Sequence, residues 1–454
     1  MKFARRKGAA RSRERRIARE DSSARAEAVH SIKALGALAT VPGAISVALL
    51  LLALLVIELD KTFAQAIGEF FGGFFVVPYD TAKSILTTLA AGSLTTLGLV
   101  YSLMLVVFTT AAGNIGPRLL QRFNGDRINQ ATAGIFGGTF LFAMATLYVT
   151  TPERVPFLSL AVALGVSVLA VLQLLLFVQS AARSVTVDEE VAAISTQLEI
   201  EMLRLSGERD RAQALREADL PDFPDDDAAR IEAEKSGYLT QIDTKALMEW
   251  AKVHGCVLEL FHGPGNFVLR GQDLLRADRA LSTNERRLLR AVLRKAAPMR
   301  PSRTPEADVA FSVHLLIEIA LRALSPGVND TYTAIACVDR LSAALAVAVR
   351  EGLPGDVRLL DGEPRLVVPG STLAGLFNLA FGPLRRAARG NVLMLAATLD
   401  ALSRLHSVAE EGGPVSRMLR DHARLTLGSA LRSDLQPDDV QFLRHRHAKL
   451  YREK

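Results

Sequence analysis

Thr81, Thr88, Thr95, Ser102 and Thr109 recur every seven residues within one long, nearly uncharged run, with Ser84, Ala91, Gly98 and Leu105 at the companion position of each repeat. A seven-residue period keeps one stripe of a helix facing one partner. At about 1.5 Å per residue the stripe is roughly 40 Å long, enough to cross a bilayer. Hydroxyls gain nothing against lipid tails, so the row is expected to face protein or water. Two chemistries want such a row. One is a close helix–helix interface, where small residues permit approach and hydroxyls bond across. The other is the lining of a narrow hydrated path. The sequence leaves both open.

A second group lies far downstream. Glu318 and Arg322 are one helical turn apart and read as a helix ion pair. His314 and Glu318 have the same spacing, but two ligands fall short of a metal site. The segment Ser325-Pro326-Gly327-Val328-Asn329-Asp330 breaks this helix. Pro326-Gly327 suggests a type II turn with positive φ at Gly327, and Asn329 or Asp330 can cap the next helix. The segment reads either as a break and cap or as a binding or coupling loop held between two helices. No G-x-S-x-G, P-loop, G-x-G-x-x-G or H-E-x-x-H pattern occurs. Neither a catalytic constellation nor a metal or cofactor is expected.

The elements that must position these residues are of two kinds. Four apolar stretches are long enough to span hydrocarbon: Leu35 to Leu59, Thr81 to Ala112, Ala131 to Thr150 and Phe157 to Ala182. None carries a charge in its central part apart from Lys83 near the start of the second, so buried ionisable groups of a proton relay are missing. The flanking charges alternate. Residues 1–33 hold 11 Lys/Arg against 4 Asp/Glu, which more than accounts for the chain's net charge of +6. The loop from Asp60 to Asp80 is slightly acidic, and the next, with Arg118, Arg122 and Asp126 ahead of Gln130, is basic. The last carries only Glu153 and Arg154. Basic loops stay on the cytoplasmic side, so both termini are expected there. The basic tail is attracted to anionic lipid and is no sign of a nucleic-acid surface. Phe63, Phe70, Phe71, Phe74, Phe75 and Tyr79 crowd the first outer loop, as an aromatic belt or a short re-entrant segment.

After the spans the composition is that of a soluble domain. Val187, Val191, Ile194, Leu198 and Leu205 mark an amphipathic helix interrupted by Glu201, followed by an acidic linker. Strands are expected at Tyr238–Ile242, Cys256–Phe261 and Asn266–Leu269, with a helix over Thr244–Val253 and a turn at Gly263-Pro264-Gly265. Ser282 and Glu285 form a capping-box pattern, and helices are expected at 307–324, from Thr331 to Arg350, and at 372–389, 391–411, 414–432 and 436–451. Only Cys256 and Cys337 are present, which suits a reducing cytosol. The expected organisation is a basic tail (1–34), a four-helix transmembrane domain (35–185), an amphipathic helix and linker (186–236), a small β module (237–276) and a helical domain (277–454).

Several of these strings resemble one family. They are Pro117-Arg118-Leu-Leu, Asp126, Gln130, Gly138-Thr139-Phe140, Gly237-Tyr238, Gly265-Asn-Phe-Val-Leu-Arg-Gly271, and above all Glu318-Ile-Ala-Leu-Arg322-Ala-Leu-Ser-Pro-Gly-Val-Asn-Asp330. The chain resembles the bacterial membrane protein family called domain of unknown function 2254. That resemblance implies a bacterial inner-membrane location and supplies no activity. The family usually has Pro and Phe after Asn-Asp, where this chain has Thr331 and Tyr332. It often has histidines at the inner end of the fourth span, where this chain has Gln179 and Ser180, so a metal or proton role resting on them does not carry over.

The expectation is therefore a multi-pass membrane α-helical protein with a cytosolic α+β domain, assembled as a homo-oligomer among membrane lipids. A pore or permease with a cytosolic gating or sensing domain leads. A non-conducting sensor or scaffold is the alternative, and a membrane-bound enzyme ranks third.

Overall fold

Each long apolar run forms one helix in the computed structural model, which describes residues 40–62, 77–114, 127–183, 187–212, 220–303 and 308–451. These helices are α1 (Thr40–Thr62), α2 (Tyr79–Asn114), α3 (Arg127–Val149) and α4 (Phe157–Arg183). The basic tail, the aromatic cluster from Phe63 to Phe75, and Arg118, Arg122 and Asp126 lie outside the described residues. The chain divides into two compact units, Met1–Thr186 and Val187–Lys454.

In the first unit α3 is the central helix, packed against α2 and α4. Its glycines let α1 approach as well. A Cβ on Gly138 would stand 2.3 Å from Leu49 Cδ1, and one on Gly134 would stand 2.7 Å from Ile45 Cβ. Ser46 Oγ donates to the Gly134 carbonyl at 3.0 Å. The Gly134-x-x-x-Gly138 pattern is thus a packing device. The comparable Gly165 on α4 faces open space. The core of this unit joins Ala53, Leu86, Ala90, Phe142 and Leu160.

The second unit opens with α5 (Val187–Ala212), the expected amphipathic helix. Val191, Ile194, Leu198 and Met202 are buried against α8 (Val309–Ala323) and α9 (Thr331–Glu351), so its apolar seam is filled within the unit. Glu201 sits beside that seam, accepts from Gln197 Nε2 at 3.1 Å and pairs with Arg204 at 3.2 Å. Helix α9 is also long and apolar enough to cross a membrane, making five such helices among the described residues. Its buried stripe, including Val338, Leu341 and Leu345, packs on α5, α8 and α11 (Val392–Val408).

The β part is larger than the module expected at 237–276. A five-stranded sheet has the order β1-β5-β3-β8-β7, from Arg230–Glu232, Asp273–Ala277, Leu258–Leu260, Glu363–Val367 and Val357–Leu360. All its neighbours are antiparallel except β3 and β8. A three-stranded sheet, β4-β2-β6, uses Phe267–Val268, Gly237–Leu239 and Met299–Arg300. Two of the added strands, β7 and β8, come from beyond residue 350 in sequence, which is why a local reading confined the module to 237–276. Helix α6 (Thr244–His254) covers the larger sheet, and α7 (Thr283–Ala296) packs on α6. The Ser282–Glu285 capping box forms as expected. Helices α10 (Leu373–Ala387), α12 (Pro414–Leu431) and α13 (Pro437–Ala448) complete the unit.

Candidate functional site

The hydroxyl row of α2 faces away from its own chain. Thr81, Thr88, Thr95, Ser102 and Thr109 are all exposed, as are Ser84, Ala91, Gly98 and Leu105. The opposite face is the buried one, carrying Ala82, Leu86, Ala90, Ser93 and Val100. Of the four apolar helices in this unit α2 has the lowest share of its most apolar stretch inside the chain, 11% against 50% for α3. Thr95 Oγ1 donates to the Ala91 carbonyl at 2.8 Å and Thr109 Oγ1 to that of Val106 at 2.9 Å. Such back-bonding satisfies a hydroxyl donor without water.

A second hydroxyl row went unread in the sequence. Thr132, Thr139 and Thr146 on α3 also recur every seven residues and are buried inside the bundle. Gln173 of α4 reaches across to donate to Thr132 Oγ1 at 3.1 Å. The buried Asn129 Oδ1 and Thr146 Oγ1 have no hydrogen-bond partner among the described residues. Gln130, beside Asn129, is half-buried at the start of α3.

Asp60, read from sequence as a loop charge, is a buried clamp. Its Oδ1 accepts from Leu158 N at 3.0 Å and its Oδ2 from Ser159 N at 2.7 Å. The carboxylate of one helix end thereby caps the first turn of α4, where free N–H groups and the helix dipole favour an anion.

The Ser325–Asp330 segment is a tight double turn. The Ser325 carbonyl accepts from Val328 N at 3.1 Å and from Asn329 N at 2.8 Å. Positive φ belongs to Asn329, at 50°, and not to Gly327 as expected, where an added Cβ would meet open space. Asparagine tolerates the left-handed region because its short polar side chain bonds locally, so the chain reverses there and leaves Gly327 unconstrained. Asp330 caps α9, accepting from Thr333 N at 3.1 Å and Thr333 Oγ1 at 2.6 Å, and these bonds hold its carboxyl below the usual range. Asn391, the cap of α11, donates to Thr331 Oγ1 at 2.8 Å. Glu318 and Arg322 lie half-buried on α8 behind the turn. Val328, Tyr332 and Leu393 are exposed around it.

The Gly263-Pro264-Gly265-Asn266 turn lies elsewhere in the second unit, on the wall of a cavity of about 500 Å³. Asn266 Oδ1 accepts from Gly263 N at 3.0 Å. Beside the turn, Arg303 grips the buried Asp308 through Nε at 3.0 Å and Nη2 at 2.8 Å. Asp308 also caps α8 through Phe311 N at 3.0 Å. Burial pushes the Asp308 carboxyl up, against the pull of Arg303.

These placements account for most of the strings that carried the family resemblance, and the comparison is direct: the model of the family described as predicted membrane protein (DUF2254) matches residues 36–404. The chain belongs to that family. It is 29% identical over 331 residues to an uncharacterised protein of Mycobacterium tuberculosis, and equally to one of Mycobacterium bovis. Each match covers 71% of this chain, and this chain spans 63% of the length of those relatives. No solved structure matches. The protein is a membrane protein with bacterial homologues.

Proposed function

We propose that the protein is a homo-oligomeric membrane pore or permease, with α1 to α4 as its four spans, both termini cytosolic, and the second unit a gating or sensing domain. The outward hydroxyl row of α2 carries this reading. A helix with so little of its surface covered by its own chain, yet with a regular stripe of Thr, Ser, Ala and Gly, is poorly matched to lipid. A second copy of α2 matches it, and around a closed symmetry axis the stripe lines a shared path. Anionic lipid binds the basic tail reversibly. In this reading no step of covalent chemistry is needed.

The test is flux. Purified protein in liposomes is expected to pass small ions or solutes, and Thr95→Leu is expected to block that flux while leaving the oligomer intact. A folded oligomer without flux under every gating condition tried would favour the second reading, a non-conducting sensor or scaffold. One observation already leans that way: Thr95 and Thr109 satisfy their hydroxyl donors within the helix.

A further inference from the structure

The cavity beside Gly263 has closely specified walls. Three separate segments each bring an arginine to it: Arg204 from α5, Arg303 after β6 and Arg358 from β7. Among the described residues the lining carboxylates are two, Asp243 and Asp308. Both point into their own helix starts. Asp243 accepts from Ala246 N at 3.0 Å, and Asp308 from Phe311 N and Arg303. The described lining thus sets three guanidinium groups against two carboxylates, with Arg303 committed to Asp308. The remaining lining is mixed: Pro264, Leu353 and Pro369 stand beside Gln241, Thr244 and Ser371.

The walls are fixed by close approach. A Cβ on Gly263 would stand 2.3 Å from the Pro369 carbonyl oxygen. Gly265 has φ of 85°, and its Cβ would stand 2.2 Å from Asp308 Oδ2. Only glycine allows this turn to lie against the strand-end at Pro369 and against the Arg303–Asp308 pair. The volume falls in the ordinary range for small-molecule sites, about 300–1,000 Å³.

We propose that this cavity binds a small amphipathic organic anion, its carboxylate or phosphate head at the arginines and its apolar body against the prolines. Guanidinium groups suit both head groups, through paired N–H donors in one plane. Arg204 is more than half exposed, so a ligand can reach it, and its partner Glu201 keeps the bond from Gln197 Nε2.

The test uses the full chain in nanodiscs, with hexyl phosphate as probe and empty nanodiscs as blank. Hexyl phosphate is expected to bind saturably and raise the unfolding temperature, with inorganic phosphate and hexan-1-ol each binding at least about tenfold more weakly, a difference of about 1.4 kcal/mol. Arg204→Gln is expected to weaken hexyl phosphate by about tenfold. Arg358→Gln, the second variant, should weaken it likewise, and Arg424→Gln on α12, outside the cavity lining, should not. Absence of saturable binding to the wild type would overturn the proposal. So would equal binding of hexan-1-ol or inorganic phosphate, or Arg204→Gln and Arg358→Gln variants that fold and bind as the wild type does.

Discussion

Asp60 and Ser159 stand 99 residues apart in sequence, yet Asp60 Oδ2 accepts from the Ser159 backbone N–H at 2.7 Å inside the first unit. Asp60 is 5% exposed and Ser159 is fully buried. The carboxylate ends α1 and starts α4 in one contact. Asp60→Ala leaves the Leu158 and Ser159 donors without this acceptor. It is expected to cost about 1–3 kcal/mol and to lower the unfolding temperature in detergent. Asp60→Asn keeps one acceptor oxygen and should lose less. Equal unfolding temperatures for all three proteins would show that the clamp carries no stability.

Helix α3 supplies the second prediction. Gly138→Ala puts a methyl within 2.3 Å of Leu49 Cδ1 and 2.8 Å of Leu49 Cβ, so α1 must move away. Overpacking of this kind costs about 1–3 kcal/mol. Gly165→Ala is the control, because nothing lies within 4 Å of its added Cβ. Alanine there should be neutral or stabilising, by up to about 1 kcal/mol of helix propensity. Thermal unfolding of the two variants side by side checks the contrast.

Much of this fold was legible because helix starts write themselves locally. The Ser282 box, the Asp330 cap and the Pro414 start each fell within a residue or two of the expectation. The sheet was less so. Strand β8 pairs in parallel with β3 across about a hundred residues, a partnership no local pattern encodes. The β7–β8 hairpin did carry a signal that went unread: Asp361-Gly362, with φ of 56° and 83°, is a favoured two-residue hairpin turn. The candidate site shows the same limit. Thr88, Thr95 and Ser102 on α2 share their period with Thr132, Thr139 and Thr146 on α3, yet one row points out and the other in. A period fixes that a stripe exists. Which stripe the chain covers depends on the neighbours.

The Ser325–Asp330 turn yields a prediction opposite to the one its Pro-Gly pair suggested. Gly327 has space around it and no positive φ, so Gly327→Ala should fold and melt like the wild type. Asn329 holds the left-handed conformation, at φ 50°. Asn329→Val should destabilise the second unit by about 1–2 kcal/mol, the cost of placing a β-branched residue there. Asn329→Gly should restore the loss. Melting curves of these three variants separate the two positions.

Glu285 makes part of the stability depend on acid. Its carboxyl is held down at about 2, first by the Arg279 side chain and then by Ser282. The Arg279 Nη2 to Glu285 Oε1 distance is 2.7 Å. A depressed carboxylate contributes stability that is fully present above the ordinary glutamate value, about 4.3, and is lost as pH falls toward its folded value. Glu285→Gln keeps an acceptor for the capping box and removes the charge. Its unfolding temperature should therefore change less than the wild type's between about pH 5 and pH 2. Glu285→Ala loses the box as well and should be less stable at every pH. Parallel pH profiles for wild type and Glu285→Gln would rule out this contribution.

Thiol chemistry can read the α2 row with little background. Cys256 and Cys337 are buried, and burial pushes their thiols up to about 11 and about 12. The thiolate is the reactive form, so the native wild type should react slowly with a water-soluble maleimide at neutral pH. A background without either cysteine removes the remainder. In that background Thr95→Cys distinguishes three situations. In a hydrated path the thiol ionises and reacts with small charged reagents, and prior reaction blocks flux. In a dry contact between two copies it is shielded from such reagents but close to its symmetry mate, so an oxidant should join the chains into dimers. Facing lipid, it does neither, although a membrane-permeant maleimide should reach it. Ala90→Cys, on the buried face of the same helix one residue from Ala91, should resist every reagent in all three cases. Reaction at Thr95→Cys with the charged reagent supports the pore or permease reading. Cross-linking alone supports the scaffold. Labelling by the permeant reagent alone would remove the oligomer from both.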